Sequence, residues 1–234
     1  MNQPAPKNGK MAVIFDMDGV IVDSAPHHFS AWQKVWQRRG VPYSYADFKH
    51  NFGQRSDLQV RYFVGNKLSQ DEVKTIVAEK DILLREILKD NMRALPGAVE
   101  LIKSLNEYGV KLALGSSSPK ETVYLVAETL GVEKYFDAIV CGSEVREGKP
   151  NPQIFLLSAK RINVEPWKCM VVEDAVVGIT AAKRGGMYVL AVTNTHPRES
   201  LMDADIVVDS LNEVTVQSLE DFMASTGCEL RAKP

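Results

Sequence analysis

The chain has 234 residues, which is long enough for one large domain or for a core domain with a smaller appendage. Its 28 lysine and arginine residues nearly balance its 30 aspartate and glutamate residues, and the net charge of −2 predicts no nucleic-acid partner. No apolar run has the length of a transmembrane helix, and the polar segment 1–10 lacks the apolar centre of a secretory signal. We therefore expect a cytoplasmic protein with no membrane partner and with a loose leader at residues 1–10. We also predict a monomer or a weak homodimer.

The three cysteines are widely separated and form no CxxC pair. Cys141 and Cys169 lie in apolar runs that resemble strands, whereas Cys228 lies in the polar tail. We interpret the first two as reduced packing residues.

Near the start of the chain, an apolar run ends at two aspartates. The segment 13–24 reads V-I-F-D-M-D-G-V-I-V-D-S. Because side chains alternate along an extended segment, Asp16 and Asp18 lean to the same side at the carboxyl end of a buried strand, where open α/β sheets place their ligands. Two carboxylates about 4 Å apart repel by roughly 4 kcal/mol at an effective dielectric constant near 20, and a hard divalent cation would offset this repulsion. The alternative is an Asx turn, in which both aspartates serve only as turn residues.

Residues 24–92 show helical patterns and no strand pattern. One helix face carries an aromatic and apolar stripe that ends before Gly40: Phe29, Trp32, Val35 and Trp36. The capping box Ser69-Gln70-Asp71-Glu72 opens a second, long helix. Because this segment directly follows the aspartates, we predict that residues 24–92 form a helical cap domain over the end of the first strand. We interpret the aromatic stripe as packing within the cap.

Six short apolar runs predict strands: 11–16, 110–115, 136–141, 169–173, 187–192 and 204–209. Most of them are continuous rather than alternating, which is typical of strands buried on both faces. Helical patterns separate the later runs, and one of these helices follows Pro96-Gly97. We therefore predict an α/β fold, a Rossmann-like doubly wound parallel sheet, with residues 1–23 and 93–234 forming the core domain.

Polar residues follow three further strands. Gly115-Ser116-Ser117-Ser118 precedes a helix, where hydroxyl and backbone N–H groups form an anion site. Ser118 is expected to be the N-cap of that helix within a capping box ending at Glu121. Ser116 is not needed for this cap, so its function is an open question.

Lys149 lies between Gly148 and Pro150, ahead of a helix that starts near Pro152. Most lysines are solvated, but a loop stiffened by proline is an unusual place for one that serves only solubility. Glu173 and Asp174 end another apolar strand, and the alternative for Asp174 is an N-cap. Acidic side chains would bind a metal while hydroxyl and ammonium groups would hold an oxyanion, a combination that suits phosphoryl transfer.

The four motifs, in their order and spacing, resemble those of the haloacid dehalogenase superfamily. Within it they are similar to the subfamily that carries a helical cap after the first motif, which includes β-phosphoglucomutases and small sugar-phosphate phosphatases. The likeness covers residues 10 to about 221. It implies that Asp16 is the nucleophile that forms an aspartyl phosphate and that Asp18 is the general acid and base. It further implies a small phosphorylated metabolite as the substrate.

The resemblance also implies the roles of the remaining residues. Ser116, Ser117 and Lys149 would hold the phosphoryl oxygens. Mg²⁺ would be bound by the side chains of Asp16 and Asp174 and by the backbone carbonyl of Asp18, with Glu173 serving the metal directly or through water in some relatives.

Three cap residues are candidates for substrate recognition. His28 follows the first motif and precedes Phe29 and Trp32, as in β-phosphoglucomutases. Arg55 lies in the cap loop that in this family usually faces the active site. Lys80 is the third candidate, with a solvated helix face as an equal alternative.

Three functions remain open at this point. A Mg²⁺-dependent phosphatase is favoured, because residues 118–120 and Ala175 depart from the residues usual in β-phosphoglucomutases. A mutase of that type is the alternative, supported by His28 and by Arg55 as a second phosphate grip. A non-catalytic phosphate-binding module is the third hypothesis, and it would require all four motifs to be intact by chance.

Overall fold

The computed structural model describes residues 11–226, and within them six parallel strands form one sheet. The strands are β1 (Ala12–Phe15), β2 (Lys111–Ser116), β3 (Ala138–Cys141), β4 (Cys169–Glu173), β5 (Tyr188–Val192) and β6 (Ile206–Val208). Their order across the sheet is β3-β2-β1-β4-β5-β6. All six strand predictions are confirmed, and so is the α/β class with a doubly wound parallel sheet. The observed β3 and β6 are shorter than the apolar runs that predict them.

Four helices follow β1 in the chain and make up the predicted cap segment: α1 (Ala25–Gln37), α2 (Tyr45–Asn51), α3 (Ser56–Val64) and α4 (Gln70–Asn91). The predicted capping box of α4 is present, because the Ser69 hydroxyl accepts from the Glu72 N–H and the Glu72 carboxylate accepts from the Ser69 N–H at 2.7 Å. Trp32 and Trp36 stack with ring centroids 5.7 Å apart and form the centre of an apolar cluster within this unit. The aromatic stripe is therefore cap packing, as predicted.

The remaining helices cover both faces of the sheet: α5 (Ala98–Tyr108), α6 (Lys120–Thr129), α7 (Gln153–Arg161), α8 (Val176–Arg184) and α9 (Val216–Ser225). Along β1, Val13 and Phe15 pack against α5, α6 and α9, whereas Ala12 and Ile14 pack against α7 and α8. Burial on both faces explains why the strand sequences are continuously apolar rather than alternating.

The two chain crossings between cap and core lie side by side. The Asp23 N–H donates to the Arg93 carbonyl at 3.0 Å, and the Leu95 N–H donates to the Ile21 carbonyl at 2.9 Å. The predicted domain boundaries, after residue 23 and before residue 93, coincide with these paired crossings, and the division into two domains remains a prediction.

Within residues 11–226, none of the helices combines the length and apolar character needed to cross a membrane. The cytoplasmic location and the oligomeric state stay predictions. Cys141 and Cys169 are buried. The predicted loose leader and Cys228 lie outside the described residues.

Candidate active site

The carboxyl ends of the central strands bring the predicted motifs together. Phe15 of β1 lies opposite Leu114 of β2 and Val172 of β4, so the three chains leave the sheet at the same edge. From β1 the strand order runs to β2 and β3 on one side of the sheet and to β4, β5 and β6 on the other. Open α/β sheets bind ligands at such a switch point in the strand order.

Lys149 joins two of the carboxylates. Its buried ammonium group donates to Asp16 Oδ1 at 2.6 Å and to Glu173 Oε1 at 2.5 Å. Burial alone would lower the pKa of Lys149, but the two carboxylates raise it above its usual range, so the side chain is charged. The alternative of a solvated lysine is wrong.

Glu173 uses both of its carboxylate oxygens within the protein. While Oε1 accepts from Lys149, Oε2 accepts from the backbone N–H groups of Asp174 at 2.8 Å and Ala175 at 2.9 Å. In this arrangement Glu173 positions Lys149 and the loop that follows β4.

Three buried acidic side chains form a cluster around this lysine. One carboxylate oxygen from each of Asp16, Glu173 and Asp174 lies within 4.8 Å of the others. Burial raises the pKa of Asp16 to about 7; Lys149 opposes the rise, and the carboxylates of Glu173 and Asp18 add to it. Burial also raises the pKa of Asp174, with Glu173 and Asp16 adding to the rise. The cluster has more carboxylates than ammonium groups, and its hard oxygen donors fit Mg²⁺.

Gly19 allows the cluster to be this compact. Its φ is +82°, and a β-carbon at this position would lie 1.9 Å from Asp174 Oδ2. Any larger residue would therefore displace Asp174 as well as strain the turn that follows Asp18.

Asp18 is held by three side-chain donors. Its Oδ1 accepts from Ser24 Oγ at 2.6 Å and from His28 Nε2 at 3.1 Å, and its Oδ2 accepts from Ser118 Oγ at 2.8 Å. Burial would raise the pKa of Asp18, but His28 and the hydrogen bonds from these three donors lower it below its ordinary value. Asp18 is therefore a carboxylate in this arrangement.

Two of the expected helix caps differ in the structure. The N-cap of α6 is Pro119 and that of α8 is Ala175, and neither makes a side-chain cap hydrogen bond. The expectation that Ser118 caps α6 is wrong, because its hydroxyl donates to Asp18 instead. The N-cap alternative for Asp174 is wrong for a similar reason, since its carboxylate belongs to the acidic cluster.

The other two serines of this loop have different surroundings. Ser116 is fully buried, and its Oγ accepts from the Ser118 N–H at 3.1 Å, so it shapes the loop. Ser117 lines the pocket between cap and core, and its Oγ donates to the Gly53 carbonyl of the cap at 3.3 Å. Their assignment to phosphate binding stays a prediction.

A pocket between cap and core opens onto both aspartates of the first motif. The core contributes Asp16, Asp18, Ser117 and Ser118, and the cap contributes His28, Phe52, Gly53, Gln54, Ser56, Gln59 and Lys80. Burial and the neighbouring Lys80 lower the pKa of His28, so its Nε2–H is the donor of a neutral ring at pH 7.

Lys80 is not on a solvated helix face. It is 1% exposed, its ammonium group lies 3.2 Å from Asp81 Oδ1, and it lies 5.5 Å from the centre of the Trp32 ring. The solvated alternative is therefore wrong, and Lys80 belongs to the pocket wall.

The structure does not bring Arg55 to the pocket. Its guanidinium pairs with both oxygens of Asp57 at 3.0 Å, and its Nη1 donates to the carbonyls of Val145 at 3.2 Å and Arg146 at 2.9 Å. The donors of Arg55 are thus directed to Asp57 and to a core loop, and its assignment to substrate binding stays a prediction.

The sequence interpretation missed the loop that follows β5. Thr195 Oγ1 donates to Asp174 Oδ2, and Asn194 Nδ2 donates to the Gly19 carbonyl at 2.9 Å. The available signal is the run Thr193-Asn194-Thr195, which places small polar residues after an apolar strand as in the other motifs.

Sequence and structure comparisons relate this chain to enzymes that act on phosphate esters. Residues 10–186 match the sequence model of the haloacid dehalogenase-like hydrolases. The chain is 36% identical over 181 residues to a phosphorylated carbohydrates phosphatase of Thermotoga maritima, covering 75% of this chain and 82% of that protein. It is 30% identical to the β-phosphoglucomutase of Bacillus subtilis, covering 90% and 94%. The crystal structure of β-phosphoglucomutase from Clostridium difficile superposes with a TM-score of 0.85 at 30% identity, covering 92% and 97%.

Proposed function

Because the chain belongs to the haloacid dehalogenase-like hydrolase family, we propose that it is a Mg²⁺-dependent phosphatase that hydrolyses a small phosphomonoester, a sugar phosphate. The observation that carries the proposal is the buried group of Asp16, Lys149 and Asp174 beside the separately held Asp18. The relative from Thermotoga maritima, a phosphorylated carbohydrates phosphatase, supports the substrate class.

Asp16 is the proposed nucleophile. A carboxylate oxygen attacks phosphorus, the bond from phosphorus to the leaving oxygen breaks, and an aspartyl phosphate forms. Lys149 lies 2.6 Å from Asp16, so it keeps the nucleophile oriented and offsets the negative charge of the approaching phosphate. Asp16 and Asp174, with the backbone carbonyl of Asp18, would hold Mg²⁺, which would supply further charge neutralisation for the phosphoryl oxygens.

Asp18 is the proposed acid and base. Its lowered pKa keeps it ionised in this structure, as the second step requires, in which it removes a proton from the water that attacks the aspartyl phosphate. In the first step it must carry a proton to the leaving oxygen. A phosphate dianion close to Asp18 raises its pKa by like-charge repulsion, which favours proton uptake at that stage.

Phosphate release in the presence and absence of Mg²⁺ tests this proposal. Asp16→Asn removes the nucleophile with little change in shape, and we expect turnover of sugar phosphates to fall by several orders of magnitude. Asp203→Asn alters an exposed aspartate and should leave turnover unchanged. Full turnover by the Asp16 variant, or turnover that is indifferent to metal chelation, would contradict the proposal.

A phosphosugar mutase is the second candidate. The His28–Asp18 hydrogen bond and the likeness to solved β-phosphoglucomutase favour it. A mutase must also grip a second phosphate with the cap, yet the two candidate cations are engaged elsewhere, Arg55 with Asp57 and Lys80 with Asp81. Conversion of β-glucose 1-phosphate to glucose 6-phosphate, primed with the bisphosphate and accompanied by negligible phosphate release, would establish the mutase instead.

A further inference from the structure

One buried polar atom in the pocket wall lacks a partner. Gln59 of α3 is 5% exposed and lines the pocket together with Asp16 and Asp18. Its amide oxygen, Oε1, accepts no hydrogen bond from any residue between 11 and 226. A buried acceptor without a partner is unfavourable by about 1–3 kcal/mol, so such an atom on a residue of the pocket wall points to a hydrogen bond with a ligand.

The orientation of the Gln59 amide is fixed by the neighbouring loop. Its Nε2 donates to the backbone carbonyl of Gln54 at 2.8 Å. Rotation of the amide by 180° would bring Oε1 against that carbonyl, placing two acceptors in contact. The oxygen is therefore held as the free acceptor, and only a donor can satisfy it.

The cap wall around Gln59 carries no surplus positive charge. Lys80 is the one lysine or arginine among the described residues that line the pocket, and its ammonium group pairs with Asp81 at 3.2 Å. The Ser56 hydroxyl lies 3.5 Å from the same ammonium group. A wall with an amide oxygen, a hydroxyl and a compensated cation suits hydroxyl groups better than a second phosphate.

We propose that Gln59 is a specificity residue whose amide oxygen accepts a hydrogen bond from a hydroxyl of the substrate's leaving group. This inference rests on the proposed phosphatase function, and it narrows the substrate to a monophosphate of a polyhydroxylated, otherwise uncharged compound. A site built around such an acceptor disfavours phosphate esters whose leaving group has no hydroxyl donor, because the amide oxygen then stays unpaired.

Gln59→Met tests the role of the amide oxygen, since methionine has a similar length and no acceptor of comparable strength. The substitution also removes the donor to the Gln54 carbonyl, and a disturbance of that loop would affect both types of substrate. Two types of substrate are compared with Mg²⁺ present: sugar and polyol monophosphates (glucose 6-phosphate, fructose 1-phosphate, sorbitol 6-phosphate) and p-nitrophenyl phosphate, whose leaving group offers no hydroxyl donor. We expect kcat/KM of the best sugar or polyol phosphate to fall about 5- to 10-fold in the variant. We expect kcat/KM of p-nitrophenyl phosphate to change less than about 2-fold.

The ratio of the two kcat/KM values does not depend on the fraction of folded enzyme, so partial misfolding of the variant does not obscure the result. Gln37→Met, an exposed substitution at the end of α1, is the matched control and should keep the wild-type ratio. An unchanged ratio in Gln59→Met would overturn the inference, as would faster wild-type hydrolysis of fructose 1,6-bisphosphate than of fructose 1-phosphate.

The same assays distinguish failure of the inference about Gln59 from failure of the proposed phosphatase function. If the wild-type enzyme hydrolyses p-nitrophenyl phosphate but none of the sugar or polyol phosphates, the inference about Gln59 fails while phosphatase activity stands. If the enzyme releases phosphate from none of these compounds, the proposed function itself fails.

Discussion

The acidic cluster has three carboxylates and one ammonium group, and this excess of negative charge favours metal binding. In the unfolded chain Asp16 ionises near the ordinary aspartate value of 3.8, whereas in the folded, metal-free protein its pKa is about 7. Between these two pH values the folded state holds a proton that the unfolded state has lost. The metal-free protein therefore loses stability as the pH rises from about 4 to about 7, and a divalent cation would restore it.

This pH dependence can be measured by thermal unfolding of the metal-free protein. Because Asp16→Asn removes the ionisable group while its amide oxygen can still accept from Lys149, we expect its Tm to fall less between pH 5 and pH 8 than that of the wild type. A difference of at least about 3 °C is expected, and added Mg²⁺ should raise the Tm of the wild type more than that of the variant. Asp203→Asn should behave as the wild type. Parallel curves for wild type and Asp16→Asn would contradict this account of the cluster.

Thr195 acts on the cluster through Asp174. Since its hydroxyl donates to Asp174 Oδ2, we expect it to orient a carboxylate that would bind Mg²⁺. Thr195→Val keeps the shape and removes the donor, and we expect the Mg²⁺ affinity of the metal-free protein to fall about 10-fold in a calorimetric titration. Thr193→Val removes a hydroxyl that bonds to Asp209 instead, and it should leave the affinity unchanged. Equal affinities in the two variants would refute a positioning role for Thr195.

Local patterns in the sequence account for most of the candidate site. Asp16, Lys149 and Asp174 can be predicted because each lies in a polar motif that follows an apolar strand. The hydrogen bond from Ser118 to Asp18 cannot be predicted, because the two residues are 100 positions apart in the sequence. The unpaired oxygen of Gln59 cannot be predicted either, because it depends on which side chains surround the pocket.

At the scale of the elements, the start of α3 is fastened to the core. Arg55 precedes α3 and donates to two carbonyls of the loop that leads to Lys149. Gly148 makes room for this contact, since a β-carbon there would lie 2.5 Å from Arg55 Cδ. The contact forms only when cap and core are together, so it stabilises the arrangement in which Gln59 and Ser56 face Asp16.

Arg55→Ala should therefore weaken substrate binding without removing a substrate contact. We expect KM for a monophosphate to rise about 5-fold while kcat changes less, because hydrogen bonds from a partly exposed guanidinium contribute modestly. Arg146→Ala removes an exposed arginine from the opposing loop but keeps its carbonyl, and KM should stay at the wild-type value. A rise in KM for bisphosphorylated substrates alone would instead support Arg55 as a residue that binds a second phosphate.

Strands and helix starts can be predicted where the sequence pattern is local, and side-chain contacts between distant parts of the chain cannot. Six apolar runs predict six strands, and the capping box at Ser69 predicts the start of α4, because both patterns are local. The direction of the Arg55 side chain depends on two core carbonyls about 90 positions away, so the sequence of the cap loop does not reveal it.

At the scale of the whole molecule, chemistry and recognition are divided between two structural units. The sheet supplies the groups proposed to act on phosphate, and the four inserted helices supply Gln59, Lys80 and His28. The family is confirmed, which disfavours a purely structural phosphate-binding module. The family does not identify the leaving group, which we expect residues of the cap to select.

In this arrangement the pocket is too small for a sugar phosphate. Its cavity volume is about 20 Å³, which is space for about one water molecule. A substrate can therefore enter only if the cap moves away from the core, and we expect the cap to close again around it with the contact of Arg55 re-formed. The paired crossings at Asp23 and Arg93 are the two connections about which the cap can rotate.

Small-angle X-ray scattering tests this motion. We expect the free protein in solution to have a larger radius of gyration than the closed structure, and we expect Mg²⁺ with vanadate, a phosphate analogue, to reduce it. Arg55→Ala should stay more open than the wild type under both conditions, because it lacks the contact between α3 and the core loop. Mg²⁺ alone is the control for effects of ionic strength. If vanadate caused no compaction, and the free protein already matched the closed structure, substrate entry would have to depend on movements of single side chains rather than of the cap.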